Sequence, residues 1–345
     1  MASRLKVIHV GLGPIGQNIA RLTLETEGLQ VVGAADLSPS LSGKDLGGVL
    51  GLTRRVRVKV ASDPARFLRK TRADVAVLST SSSLKAIKPQ LVALLERGMN
   101  VVTTCEEMAF PTPEHLPAFR ELDKLAQKKK VSVLSTGVNP GYAMDALALM
   151  LTAPCSSVNR VSVTRIVDAR TRRLPLQRKV GAGLNLAQFR RAITEGTVRH
   201  VGLVESAHMI ASALGWKLEK VDETLEPAIA PRDLETDFLR IPAGSAAGIK
   251  QIARGYRDGV LAVNLDLQMY VGAEFPRDHV LVDGTPPIDM TITGGIAGDM
   301  ATAAIVVNSI PKLMAARPGL LTMRDLPLLH RFNAAELKTL PKKKR

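Results

Sequence analysis

Between Lys6 and Glu27 the chain reads KVIHVGLGPIG followed by an amphipathic run, and this places tight constraints on the fold. A buried strand of apolar residues stops at Gly11-Leu12-Gly13-Pro14-Ile15-Gly16, and a helix starts at once from about Gln17. Such a strand–turn–helix needs glycine for three separate physical reasons. Gly11 permits the tight turn, Gly13 lets the backbone come close to a pyrophosphate, and Gly16 lets helix and strand pack closely. Pro14 suits the first helical turn because its missing N–H would find no partner there, and the Ile15–Gly16 backbone lies where a helix N-terminus attracts an anion. A second strand, Leu29 to Asp36, ends in an acid about 20 residues beyond the last glycine, where a carboxylate accepts hydrogen bonds from ribose hydroxyls. No arginine directly follows Asp36, so NAD is expected over NADP; Lys44 or Arg54 could still reach a 2′-phosphate and allow NADP.

Further strands are expected at Arg55–Val60, Val75–Thr80, Asn100–Cys105 and Val131–Gly137, with helices at Lys85–Arg97 and Thr112–Lys129. RVRVKV at 55–60 alternates with a period of two and reads as an edge strand, while the others are continuous apolar runs. Apolar strands alternating with helices predict a parallel sheet covered on both faces. Three of them end in small hydroxyl residues, Ser79-Thr80, Thr103-Thr104 and Ser135-Thr136, at the carboxyl edge where such sheets hold ligands. Thr103-Thr104-Cys105-Glu106-Glu107 then sets two adjacent carboxylates at that edge. Either could hold a cationic amine, stabilise an iminium and move protons; equally, both could be acids favoured by a helix N-terminus. Cys105 has no evident base and is expected in the pocket wall. Ser135-Thr136-Gly137-Val138-Asn139-Pro140-Gly141 is a turn expected to act as a hinge and to line the nicotinamide pocket through Asn139.

After Asn139 the pattern changes. Val158–Val167 and Val260–Val271 read as long strands, the second alternating strictly and therefore antiparallel with one core face; helices are expected at Met144–Leu151, Leu186–Thr194 and Val201–Leu214. GGIAGDMATAAIVVN, Gly294–Asn308, turns helical and returns the chain to its first part. The fold class is α/β: an N-terminal Rossmann-type doubly wound parallel sheet plus a C-terminal α+β domain with an open mixed or antiparallel sheet. The expected boundaries are 1–138 for dinucleotide binding, 139–300 for substrate and dimerisation, and 301–345 for the returning helix and a basic tail. The 345 residues suit two domains.

Charge offers a competing reading. The formal net charge of +15 invites a nucleic-acid partner, or a nucleotide-sensing protein that keeps only the Rossmann half. Lys342 to Arg345 carry four of those charges, aromatic residues are only 3%, and no basic stripe stands out, so no nucleic acid is expected. The two cysteines, Cys105 and Cys155, cannot staple a chain of this length, and six histidines lie scattered without ligand spacing, so no metal is expected. With no apolar run long enough for a membrane and no signal-peptide pattern, a cytoplasmic protein is expected.

GLGPIGQ, AADLSPSLSGKDLG, TTCEE, STGVNPG and GGIAGDMATAA, in that order, resemble the 2,4-diaminopentanoate dehydrogenases and the related native amine dehydrogenases of the dihydrodipicolinate reductase-like superfamily. The resemblance implies NAD(P)-dependent reductive amination of a carbonyl with ammonia, and its reverse. It places the catalytic glutamate at Glu106, with Glu107 second. It sets Asn139, Val138, Tyr142 and Ala143 near carboxamide and substrate, and brings Thr171 to Phe189, including Gln177, over the pocket. It also implies a homodimer joined through the second-domain sheet. Dihydrodipicolinate reductase itself is disfavoured, because DARTRRLPLQRKVGAGLNLAQF contains neither its His-His-x-x-Lys run nor its Lys-x-x-x-Pro-Ser-Gly-Thr loop. No second acid for a distal ammonium is evident, which favours a small aliphatic ketone or aldehyde over diaminopentanoate. A carbonyl reductase, with the acid assisting a hydroxyl, is the remaining alternative.

Overall fold

The computed structural model describes residues 4–338, so the basic run Lys342–Arg345 lies outside the described residues. The chain forms two compact units: residues up to Tyr142 with those from Ala297 onward, and Ala143–Ile296. The crossings thus fall at 142/143 and 296/297, against 138/139 and 300/301 from the sequence. The turn after Thr136 stays with the first unit because it folds back on itself: a Cβ on Gly141 would stand 2.6 Å from the Gly137 nitrogen and 2.7 Å from the Thr136 hydroxyl.

The first unit opens with β1 (Leu5–Val10), α1 (Pro14–Glu25), β2 (Leu29–Ala35), α2 (Leu46–Val49), β3 (Val60–Ala61), α3 (Pro64–Lys70), β4 (Val75–Leu78), α4 (Leu84–Glu96), β5 (Asn100–Thr103), α5 (Leu116–Lys129) and β6 (Ser132–Ser135). Strands β4, β5 and β6 are buried along their whole length, as continuous apolar runs in a covered parallel sheet must be. One face of the sheet packs Ile8, Val10, Leu78, Val101 and Val133 against Ile87, Leu91, Leu94 and Leu122 of α4 and α5.

The second unit holds α6 (Ala146–Leu151), β7 (Ser157–Asp168), α7 (Leu174–Lys179), α8 (Leu186–Thr194), α9 (Leu203–Ala213), β8 (Lys220–Ile229), β9 (Leu234–Glu235), β10 (Arg240–Ile241), β11 (Ala246–Arg257), β12 (Val260–Tyr270), β13 (Arg277–Thr285) and β14 (Ile288–Thr293). Its six-stranded sheet runs β14-β13-β7-β12-β11-β8, with α9 packed on β8, β11 and β12. The alternation read in β12 is real: Val263, Leu265 and Leu267 are buried, whereas Asn264, Asp266 and Gln268 are only half-buried. Its pairing is mixed, antiparallel to β11 but parallel to β7, so a strand read as antiparallel has one parallel neighbour. The alternation reports which face is wet and says nothing about the direction of the neighbour.

The chain then returns through α10 (Gly298–Ala315), which packs on α1, β5 and β6, and adds β15 (Gly319–Leu321) beside β6. The parallel sheet therefore has the order β15-β6-β5-β4-β1-β2-β3. Reversal of strand order beside β1 creates the crevice in which doubly wound folds hold ligands.

One expected strand does not form as read. Of RVRVKV, only Val60 joins β3; an isolated bridge links Lys59 to Asp45, and Arg57 adopts φ +62°. The Asp45 carboxylate accepts hydrogen bonds from the N–H groups of Val56, Arg57 and Gly47 at 3.0, 2.8 and 2.9 Å. The side chain at the N-cap of α2 thus takes donors that strand pairing would use, and alternation alone cannot reveal such a competitor. Among the described residues no helix is long and apolar enough to cross a membrane.

Candidate active site

The glycine turn is set by backbone contacts. Gly11 has φ +91°, and a Cβ there would stand 2.5 Å from the Ser79 carbonyl oxygen; one on Gly16 would collide with the Gly11 carbonyl. Gly13 differs: an added Cβ meets nothing within 4 Å, and both Gly13 and Pro14 are exposed while Ile15 is half-buried. Internal packing therefore requires glycine at Gly11 and Gly16, and leaves Gly13 bordering open space. Helix α1 has no side-chain cap and no acid in its first turn, so its N-terminal donors stay available to an anion.

Asp36 follows β2 and steadies this turn, its Oδ2 accepting from the Leu12 N–H at 2.6 Å and its Oδ1 from the Ser38 N–H at 2.7 Å. A carboxylate has further acceptor capacity on both oxygens, so these bonds orient it without exhausting it. Ser79 donates to the Gly11 carbonyl at 3.0 Å, tying the end of β4 to the turn. Thr80 is exposed, its hydroxyl bound to Gln90 at 2.8 Å, and Thr104 is half-buried with its N–H on the Leu78 carbonyl at 3.1 Å.

The two adjacent glutamates start a single 3₁₀ turn, Glu106–Met108, and their surroundings diverge. Glu107 Oε2 accepts from the Leu84 N–H, the first residue of α4, at 2.7 Å, and lies 3.6 Å from His115 Nε2. Ser83 supplies no side-chain cap to α4, so Glu107 does that work from a distant segment. Glu106 is half-buried beside it. Cys105, expected in the pocket wall, is instead fully buried in the core with its thiol on the Ser82 carbonyl at 3.1 Å. Burial, and then the neighbouring Glu106 and Glu107 charges, push that thiol up, so it is inert as a nucleophile.

At the end of β6, Ser135 donates to the Cys105 carbonyl at 2.6 Å and so fixes the turn that carries the acids. Asn139 is buried, yet neither Oδ1 nor Nδ2 has a hydrogen-bond partner, and the Thr136 hydroxyl is likewise unpartnered. Buried amides in this state cost stability unless a ligand or water completes them. Val138 is half-buried and its N–H donates to Thr302 Oγ1 on α10 at 3.1 Å, and Tyr142 is half-buried. From the sequence Thr136 emerged only as one of the strand-end hydroxyls, and Thr302 did not emerge as a site residue. The signals were present, since Thr136 ends a strand in a hydroxyl and Thr302 lies within GGIAGDMATAA.

In the second unit, Ala143 is fully buried and Thr171 exposed. Gln177, read as a pocket residue, is saturated: its Nε2 donates to the carbonyls of Ala169, Arg170 and Arg172 at 3.2, 3.1 and 2.8 Å, and its Oε1 accepts from Thr236 at 3.0 Å. With every partner internal and no exposure, Gln177 holds the 169–172 loop and offers nothing to a substrate.

Residues on the first unit's sheet edge fit a dinucleotide on three observations: open space at Gly13, an uncapped α1, and an orphaned amide at Asn139. Among the described residues no cluster of His, Cys, Asp or Glu is arranged to hold a metal ion.

Comparison with known proteins identifies the family. Residues 5–136 match the dihydrodipicolinate reductase N-terminus, and residues 142–340 the 2,4-diaminopentanoate dehydrogenase C-terminal domain. The 2,4-diaminopentanoate dehydrogenase of Acetoanaerobium sticklandii is 32% identical over 332 residues, covering 94% of each chain. An amine dehydrogenase of Streptomyces virginiae is 23% identical over 345 residues, 92% of this chain and 95% of that one. The structure of amine dehydrogenase from Mycobacterium smegmatis shares the fold, with a TM-score of 0.86 at 24% identity over 96% of this chain and 98% of that one.

Proposed function

The chain belongs to the 2,4-diaminopentanoate dehydrogenase family, NAD(P)-dependent oxidoreductases acting on amines, and on that premise we propose that it reductively aminates a small aliphatic ketone or aldehyde with ammonia and catalyses the reverse. The observation that carries the assignment of the acid is the divergence of the two glutamates. Glu107 is committed to capping α4 and facing His115, and Glu106, the acid that the resemblance names, is the carboxylate assigned to the chemistry at the sheet edge.

In this reading Glu106 holds ammonia as ammonium, accepts its proton as the nitrogen attacks the carbonyl, and returns a proton to the leaving hydroxyl of the carbinolamine. Water departs and an iminium remains, whose positive charge the Glu106 carboxylate stabilises. The nicotinamide, when bound, supplies the hydride that reduces the iminium carbon and accepts it in reverse. Gly13 and the α1 N-terminus hold the pyrophosphate, Asp36 the ribose, and Asn139 the carboxamide. Asp36 favours NAD over NADP because a 2′-phosphate beside it would meet a like charge. The same reading carries a cytoplasmic homodimer joined through the β7–β12 sheet.

A second reading, diaminopentanoate itself as substrate, is supported by the higher identity to the Acetoanaerobium enzyme. The test follows NADH oxidation with ammonium and a small ketone for wild type and Glu106→Ala, alongside the reverse reaction with 2,4-diaminopentanoate. A loss of about 10²- to 10⁴-fold in kcat for the variant is expected. Unchanged turnover removes Glu106 from the mechanism, and activity confined to the diamine selects the second reading.

A further inference from the structure

The second unit carries a cavity of about 440 Å³ that lies between α7, α8 and the 195–198 loop; part of its lining belongs to the 171–189 stretch that the resemblance brings over the pocket, but none of its residues is named in the proposed chemistry. Three cationic side chains line it, Arg178, Lys179 and Arg191, against one carboxylate, Glu195. No side-chain hydrogen bond or ion pair engages any of the three among the described residues. Bringing three like charges together is unfavourable in itself, and the single acid leaves a positive excess. Behind them Leu184, Ala192 and Val198 form an apolar floor.

The three cationic side chains are exposed at the rim, but the backbone that carries them is fixed from inside the unit. Helix α7 is anchored by Gln177, whose amide makes the four hydrogen bonds described above. Helix α8 starts at a reciprocal capping box between Asn185 and Gln188 and drives Phe189, fully buried, into the core. Gly181 closes the path between the helices in a left-handed conformation, φ +73°, with its Cβ position blocked by the Phe189 ring at 2.7 Å. Arginine guanidinium groups carried on a fixed frame bind carboxylate or phosphate with less loss of side-chain freedom than the same groups on a mobile loop.

We propose that this cavity is a binding site for a small organic anion, with its carboxylate or phosphate held by Arg178, Lys179 and Arg191 and its apolar part lying on Leu184, Ala192 and Val198. The volume falls within the range of small-molecule sites, and the charge excess selects anions over the ammonium and amines used in the proposed reaction. The site stands whether or not the proposed activity does.

Isothermal titration of the full-length chain with succinate, and separately with inorganic phosphate, tests this in wild type and in an Arg178→Ala/Arg191→Ala double variant. The difference between proteins isolates this cavity from anion binding at the glycine turn. Saturable binding of one succinate or one phosphate per chain is expected, weakened about tenfold or more in the double variant. Stronger binding of one probe than the other tells a carboxylate site from a phosphate site. Lys179→Ala serves as a second variant should the double one unfold, with folding checked by circular dichroism and Tm. Equal binding in wild type and the folded variants, or none that saturates below tens of millimolar, overturns the proposal.

Discussion

Two buried amides, one in each unit, show how differently the same chemistry can be used. Gln177 is wholly enclosed and every hydrogen-bonding atom it has is met by the protein, three carbonyls on one side and a hydroxyl on the other. Asn139 is buried nearly as well, and both of its polar atoms are orphaned. The saturated amide spends its bonds on keeping a loop in place. The orphaned one keeps a cost in the folded protein that a bound carboxamide can offset. Exposure alone would rank the two together; hydrogen-bond accounting separates structure from site.

His9 extends the contrast to a titratable group. It sits on β1 with both ring nitrogens unpartnered, and burial lowers its pKa from the ordinary 6.5 to about 3; His200, in the second unit, is lowered equally, by burial first and then by Lys179, Arg165 and Arg199. Both are neutral when folded, while the unfolded chain takes up protons below 6.5. Their contribution is therefore complete above 6.5 and drains away as pH falls towards 3, on the order of 5 kcal/mol for the fully enclosed His9 and less for the half-buried His200. Asp45 and Glu336 carry carboxyls held low, by the Val56 N–H and by Lys312 respectively, and lose their contribution only below their ordinary values of 3.8 and 4.5. Urea unfolding between pH 7 and 5 reads these two histidines together with His208, which burial also lowers, and His9→Leu is expected to reduce that slope clearly without abolishing it. An unaltered slope shows that His9 is not the buried neutral group described.

Replacing Gln177 by alanine strips partners from three backbone carbonyls and is expected to destabilise the protein by about 3 kcal/mol, seen as a lower urea midpoint. The glycines supply a parallel pair. Gly16→Ala drives a Cβ into the Gly11 carbonyl and should cost about 2 kcal/mol of stability. Gly13→Val enters open space, so Tm should hold while NADH affinity, measured by fluorescence titration, falls. Asn139→Ala is likewise expected to change stability little, by under about 1 kcal/mol, with a loss near tenfold in NADH affinity. If Asn139→Ala and Gln177→Ala destabilise equally, the distinction between the two amides fails.

How far the sequence reaches depends on how local the determinant is. The glycine turn could be read because a few adjacent residues fix its backbone, and the buried strands because burial on both faces leaves a continuous apolar run. RVRVKV misleads because Asp45, ten residues upstream, captures its backbone donors. Gln177 could not be recognised as structural, since Thr236, which completes it, lies far along the chain. For Glu106 and Glu107 spacing identifies a pair and no more; that Glu107 caps α4 shows only once the chain has folded.

Ammonium dependence tests the central claim most directly. The rate of NADH oxidation by the wild-type chain is measured with a small aliphatic ketone while ammonium is titrated from zero. The account predicts no oxidation without ammonium, a rate that rises to saturation as it is added, and an amine as product. Ketone reduction at an equal rate without ammonium, yielding the alcohol, would contradict it.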